Sequence, residues 1–168
     1  YLVIADDFTG ANDTGVQIRR RGYPVNVVFT GSMMSDNDIS YVIDTESRAL
    51  PPDKAYSNLT QQLEHIDSPN FGHVIKKVDS TLRGSIGAEI SAVYNIMKPD
   101  ILIFAPALPD LNRTTENAVH MLNGVPISKT EIANDPKTPV HEDNIKVILE
   151  NAFSEPVTHF TIDDIENG

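Results

Sequence analysis

Residues 3–13 read VIADDFTGAND: an apolar run passes directly into two adjacent carboxylates, Asp6 and Asp7, with a third at Asp13. Val3, Ile4 and Ala5 have the character of a buried strand end. Gly10 then predicts a tight turn, and a helix is expected from near Asp13, where Asn12 or Asp13 would serve as N-cap. Capping alone accounts for Asp13 as well as a role in chemistry does. The pair Asp6–Asp7 is different, because like charges so close raise one another's proton affinity. Such a pair suits a general base, a hydroxyl-binding group or a Mg²⁺ site.

Outward from this stretch the chain alternates strand and helix. Strands are predicted at 2–5, 25–30, 41–44, 74–78, 101–105 and 157–161, and helices at 13–21, 53–66, 85–97 and 142–153. The stretch GSMMSDND (31–38) is short for a crossover helix and is expected to be irregular. This order predicts an α/β, three-layer, Rossmann-like domain with a mostly parallel sheet and helices on both faces. In such sheets ligands bind outside the carboxyl ends of the strands. Polar motifs follow four of the predicted strands: Asp6–Asp7, DTESR (44–48), KKVDSTLRG (76–84) and APALPD (105–110). They are therefore expected on one rim.

The second constellation is KKVDSTLRGSIGAEI (76–90). Adjacent Lys76 and Lys77 in a strand point to opposite faces. Asp79, Ser80, Arg83, Gly84 and Gly87 follow at the start of a helix, where open amides receive anions and an arginine can grip a carboxylate with two parallel hydrogen bonds. After the third strand, Thr45, Ser47 and Arg48 are weaker candidates. The stretch 106–126, PALPDLNRTTENAVHMLNGVP, is expected to be a long irregular loop of the kind that carries function, with Arg113 and Asn123 as candidates.

Composition narrows the classes. A chain of 168 residues with 40% hydrophobic and 22% charged residues is expected to be an ordered domain, alone or with a small extension. It has no cysteine, which leaves neither disulfide nor thiolate metal site and fits a cytoplasmic location. No apolar run approaches the roughly 18 residues of a spanning helix, so no membrane partner is expected. A net charge of −11 disfavours nucleic acid. The run Arg19–Arg20–Arg21 closes a predicted helix, where cations favour the dipole. Neither a G-x-x-x-x-G-K-[ST] loop nor a G-x-G-x-x-G turn occurs. The histidines at 65, 73, 120, 141 and 159 lack metal-ligand spacing, so no metal site is read. A D-x-D-x-T phosphatase pattern laid on Asp7 and Thr9 would put Ala5 at the nucleophile, which excludes it.

Together, ADDFTGAND, KKVDSTLRGSIGAEI and NGVPISKTEIANDPKTPV resemble the N-terminal, sugar-binding domain of the four-carbon acid sugar kinases, of the 3-oxo-tetronate, threonate and erythronate kinase type. The resemblance covers most of the chain. It departs at Asn112, which stands before RTT where glycine is expected. It implies that residues 1–168 are the acid-sugar-binding domain and that the family's C-terminal, ATP-binding domain lies outside this chain as its partner. It further implies an anionic sugar-acid substrate, with ATP and Mg²⁺ bound mainly by that other domain; a homo-oligomer is left open.

On this reading the substrate carboxylate meets Arg83, Lys76 or Lys77 and the amides near Gly84. The hydroxyls meet Asp6, Asp7 and Asp79. Asp7 or Asp6 takes the proton of the attacking terminal hydroxyl, with Asp13 a third choice, and Ser47, Arg48, Ser80, Arg113 and Asn123 complete the site. Two alternatives stay open: a stand-alone acid-sugar-binding or regulatory module, and a ribokinase-type sugar kinase. The early position of TGANDTG argues against the latter.

Overall fold

The computed structural model describes residues 1–34, 38–66 and 70–167. Its centre is a parallel sheet of β1 (Leu2–Ala5), β2 (Val25–Val28), β3 (Ser40–Asp44) and β4 (Val74–Lys77), in the order β2-β3-β1-β4. Every residue of β1 and β3 is buried, as expected of parallel strands covered on both faces. The register pairs Ala5 with Asp44 and with Lys77, so the strands deliver the following residues to one rim.

Alternation sorts the core into two layers. Leu2, Ile4, Tyr41 and Ile43 pack with Leu59 and Leu63 of α2 (Pro52–Leu63) and with Ala92 and Val93 of α3 (Ile86–Met97). Val3, Ala5 and Val42 pack on the opposite face with Ala11 and Ile18 of α1 (Phe8–Arg20). The three-layer α/β expectation therefore holds. A further apolar cluster joins Leu82, Ile86 and Ile90 to Ile127, Val140, Ile145 and Leu149, seating α4 (Ile145–Ala152) against α3.

Several elements differ from the sequence expectation. Helix α1 begins at Phe8, not near Asp13, because Asp7 is its N-cap: the backbone there is extended and the side chain accepts from the Gly10 amide. Gly10 thus lies inside the helix rather than in a tight turn. Residues 101–105 and 157–161 carry no regular secondary structure and join no ladder among the described residues. Leu102, Phe104 and Val157 pack inward on the α3–α4 cluster, while Ile101 and Ile103 stay exposed. Alternating apolarity reports such half-burial whether or not the backbone is paired.

The expected irregular loop at 106–126 contains an antiparallel sheet instead, of β5 (Arg113–Glu116), β6 (Val119–Leu122) and β7 (Val125–Pro126). Two-residue turns with positive φ throughout, Asn117–Ala118 and Asn123–Gly124, close its hairpins. A short α5 (Ile162–Asn167) was not foreseen. In GSMMSDND, residues 31–33 form a 3₁₀ turn, and residues 35–37 lie outside the described residues.

Candidate functional site

The site begins with a cap. Asp7 Oδ1 accepts from the Gly10 amide at 2.9 Å. A Cβ on residue 10 would stand 2.8 Å from that oxygen, so glycine is the residue that lets the carboxylate settle there. The placement puts a negative charge on the helix N-terminus, where the dipole favours it.

The loop after β3 folds back over this corner. Thr45 donates its amide (3.0 Å) and its hydroxyl (2.7 Å) to the Ala5 carbonyl, and the Arg48 amide donates to the Asp6 carbonyl at 3.1 Å. Ser47 is wholly buried, and its hydroxyl lies 2.8 Å from that of Thr45. These bonds aim Arg48 at the aspartates. Its Nε donates to Asp6 Oδ2 (2.8 Å), Nη2 to Asp6 Oδ1 (3.0 Å) and Nη1 to Asp7 Oδ2 (2.6 Å). Burial opposes the guanidinium's charge, but the hydrogen bonds and charge of Asp6, then the charges of Asp79 and Asp7, hold it protonated.

The loop after β4 supplies the other half. Asp79 accepts from Arg83 at Nε (2.9 Å) and Nη2 (3.0 Å), from the Thr81 amide at 3.1 Å, and from the Thr81 hydroxyl. Burial works against its charge. The hydrogen bonds from Arg83 and Thr81 and the two guanidiniums outweigh it, holding the carboxyl well below the usual range. Arg48 Nη2 lies 3.8 Å from Asp79 Oδ1, joining the two halves into one network. Gly84, at φ +98°, brings the backbone under Arg48; a Cβ there would meet the Arg48 carbonyl at 3.3 Å.

His120 braces this loop from below. It is fully buried, with one ring nitrogen 3.0 Å from the Ser80 carbonyl and the other 2.8 Å from the Thr115 hydroxyl. A carbonyl only accepts, so Nε2 carries the hydrogen and Nδ1 accepts from Thr115. Burial lowers the imidazole's proton affinity against the pull of Ser80 and Asp79, and the ring stays neutral.

Two adjoining clefts open over the network. One of about 220 Å³ is lined by Asp6, Asp7, Glu46, Arg48, Arg83 and Asp135 among others. The other, about 330 Å³, is reached past Leu50, Pro51, Gly84, Ser85 and Pro139. Arg48, Ala49, Lys137 and Thr138 line both. The clefts are small, near or below the roughly 300–1,000 Å³ of drug-sized sites.

Of the expected residues, Asp6, Asp7, Arg48, Asp79, Arg83 and Gly84 are brought together here. Ser47 and Ser80 support the two loops from within, through a hydroxyl and a carbonyl. Lys77 lies over the start of α1, its ammonium donating to the Val78 carbonyl. Lys76 points to the other face, into a 2.7 Å ion pair with Glu89 of α3. Asp13 is exposed along α1. Arg113 and Asn123 belong to the small antiparallel sheet and line neither cleft; Arg113 donates to the Leu111 carbonyl, and Asn123 opens the second hairpin turn.

Glu46, Asp135, Lys137 and Thr138 were not foreseen, although the last three lie within the DPKTP stretch of the third motif. Asp44, 1% exposed, was marked only as a strand end. Its Oδ1 accepts from the Glu46 amide, and its Oδ2 has no partner among the described residues. Burial first, with the charges of Glu46 and Asp7, pushes this carboxyl up to about 6.

Among the described residues no three acids or histidines gather in a metal-binding arrangement. Asp6 and Asp79 direct their oxygens to guanidiniums, so the donor set does not fit a bound Mg²⁺. What the corner offers instead is a rigid set of ionised acceptors with one edge open: the Asp7 side chain is 24% exposed, whereas Asp6 is 2% exposed.

Residues 1–168 match the family described as "Sugar-binding N-terminal domain". A D-threonate kinase of Salmonella typhimurium is 40% identical over 172 residues, covering 99% of this chain and 40% of that protein. A D-erythronate kinase of Heliobacterium modesticaldum is 36% identical, over 84% of this chain and 33% of that protein. A crystal structure from Bordetella bronchiseptica, a domain of unknown function with bound citrate in a domain-swapped dimer, superposes with a TM-score of 0.81. It is 31% identical and covers 89% of this chain and 39% of that one. The chain thus spans about two fifths or less of the length of these relatives.

Proposed function

Because the chain belongs to the family of sugar-binding N-terminal domains, we propose that it is the substrate-holding part of an ATP-dependent kinase acting on a hydroxyl of a four-carbon sugar acid. The observation that supports this most is the open edge of Asp7 at the cleft, beside Arg48. Ionised carboxylates that are already fixed accept hydroxyl hydrogens without further ordering, which is how a polyol is oriented.

Asp7 and Asp6 have different parts in this reading. Asp6 is 2% exposed with both oxygens on Arg48, so it positions the guanidinium and does not reach substrate, whereas Asp7, whose oxygens accept from Gly10 and Arg48, keeps 24% of its side chain exposed at the cleft. Asp7 hydrogen-bonds the attacking terminal hydroxyl and receives its proton as the phosphoryl group arrives. In phosphoryl transfer most of the protein's contribution is positioning and electrostatics, so the main task of Asp7 is to orient the hydroxyl. Asp79 and Arg83 hold the far wall. ATP and its Mg²⁺ come from outside the residues of this chain, in which no phosphate loop occurs. The names of the relatives, kinases of D-threonate and D-erythronate, and the citrate in the Bordetella structure favour a small hydroxy acid.

A thermal-shift panel tests this. Threonate, erythronate and their 3-oxo forms should stabilise the chain most, by about 2.7 kcal/mol at about 100 times the dissociation constant. Six-carbon acids and nucleotides should do far less. A panel in which no four-carbon acid shifts the midpoint, or in which ATP shifts it most, would remove the proposal.

A further inference from the structure

An anionic substrate needs a cation that the protein has not already neutralised, and the network beneath the clefts provides none. Arg48 is shared among Asp6, Asp7 and Asp79. Arg83, expected from sequence to grip the substrate carboxylate, is held by Asp79 on two nitrogens and lies 3.6 Å from Asp135 on the third. Lys76 is buried against Glu89, and Lys77, whose ammonium donates to the Val78 carbonyl, lines neither cleft. The lining carboxylates Asp6, Asp7, Glu46 and Asp135 outnumber the lining cations Arg48, Arg83 and Lys137. A second carboxylate brought to the acid-lined cleft would meet repulsion there.

Lys137 is the exception. It lines both clefts, and its ammonium makes no hydrogen bond or ion pair among the described residues. Its backbone is nevertheless fixed. The Lys137 amide donates to Asp135 Oδ1 at 2.9 Å, as does that of Thr138 at 2.8 Å, while Asp135 Oδ2 faces Arg83. The loop is thereby tied to the same network that carries Asp7. Lys137 thus brings a cation, free among the described residues, to both clefts, including the one lined by Gly84 and Ser85.

We infer that Lys137 is the specificity-determining residue that receives the substrate's carboxylate, in the cleft beside Gly84 and Ser85, while the hydroxyls lie over Asp7. This rests on the proposed function and refines it. The acid end and the reacting end of the substrate would occupy different clefts, with Arg48 beneath the middle. Lys137 would then separate a sugar acid from the neutral polyol of the same length.

The test is calorimetric titration of the parent chain, Lys137→Met and Lys137→Arg with threonate, with erythronate and with the corresponding neutral tetritols. The parent is expected to bind an aldonate more tightly than its tetritol. Lys137→Met should lose aldonate affinity by roughly 10- to 150-fold, the loss typical of a hydrogen bond to a charged partner. It should leave tetritol binding where it was, and Lys137→Arg should restore most of the aldonate affinity. Parent-like aldonate binding by Lys137→Met would overturn the inference while leaving the proposed function standing. So would an equal loss for aldonate and tetritol, which would make Lys137 a contact for hydroxyls. A parent chain that binds no aldonate at all would overturn both.

Discussion

Arg48 grips Asp6 with two parallel hydrogen bonds, 2.8 Å from Nε and 3.0 Å from Nη2, across 42 residues of chain. The carboxylate is almost wholly buried and the guanidinium one-fifth exposed. Removing the arginine therefore strands a buried charge. Arg48→Met is expected to cost about 3 kcal/mol in urea-unfolding free energy, at the low end for breaking a buried pair because part of the site is wet. Arg48→Lys should cost less but still measurably, since an ammonium cannot reproduce the paired geometry. A parent-like unfolding curve for Arg48→Met would show that the pair contributes nothing.

Asp7 separates stability from function. Asp7→Asn keeps the cap on Gly10 but turns an amide donor toward Arg48 Nη1, so it should cost about 2 kcal/mol, less than Arg48→Met because the guanidinium keeps Asp6. In a protein that includes the ATP-binding part, the same change should lower turnover by about 10²- to 10⁴-fold, the usual worth of a positioned proton acceptor. Stopped-time phosphate transfer to threonate or erythronate, with urea unfolding alongside, measures both. An unfolding loss as large as that of Arg48→Met, or unchanged turnover, contradicts the division of roles.

Asp44 gives a pH signature. Its carboxyl is raised by burial from 3.8 to about 6, so between those values the folded chain binds more protons than the unfolded one. Its contribution to stability is full at low pH and is lost as pH rises through about 6. Asp44→Asn cannot ionise and escapes that loss. The variant should thus gain on the parent in urea midpoint as pH rises from about 4 through about 6, and the difference should level off above that. A constant difference across that range would mean that the group titrates normally.

His120 has the opposite sign. Its folded value is lowered below 6.5, so the unfolded chain takes up a proton first. The stability tied to a neutral ring is present above 6.5 and lost as pH falls below it. His120→Gln should flatten the acid-side decline of the urea midpoint relative to the parent. An identical pH slope in both would place the ring in contact with water.

How much of this the sequence shows differs from element to element. β1, β3 and α3 are legible because both-face burial forces continuous apolar runs or a helical stripe, whereas β4, only partly buried, shows in sequence through Val74 and Ile75 alone. Asp6 and Asp7 are legible because two acids at a strand end have few structural uses. The Arg48 grip is not, since it depends on the 45–48 loop folding back over β1, which no local pattern encodes. Arg83 looks free in sequence for the same reason: its partner Asp79 stands four residues away and claims it through loop geometry. The Asn123–Gly124 pair carried a strong hairpin signal within a stretch read as irregular loop. Lys137 had no signal of its own, because only the folded chain brings it beside Arg48.

The most direct measurement is a crystal structure of the chain soaked with threonate or erythronate at saturating concentration. The expected density lies across the two clefts, with a terminal hydroxyl within about 3 Å of the exposed edge of Asp7, the distance of an ordinary hydrogen bond. The carboxylate should lie beside Lys137, and the Arg48–Asp6 pairing should be unchanged. A ligand bound elsewhere on the chain, or one whose carboxylate displaces Asp79 from Arg83, would contradict the site described above.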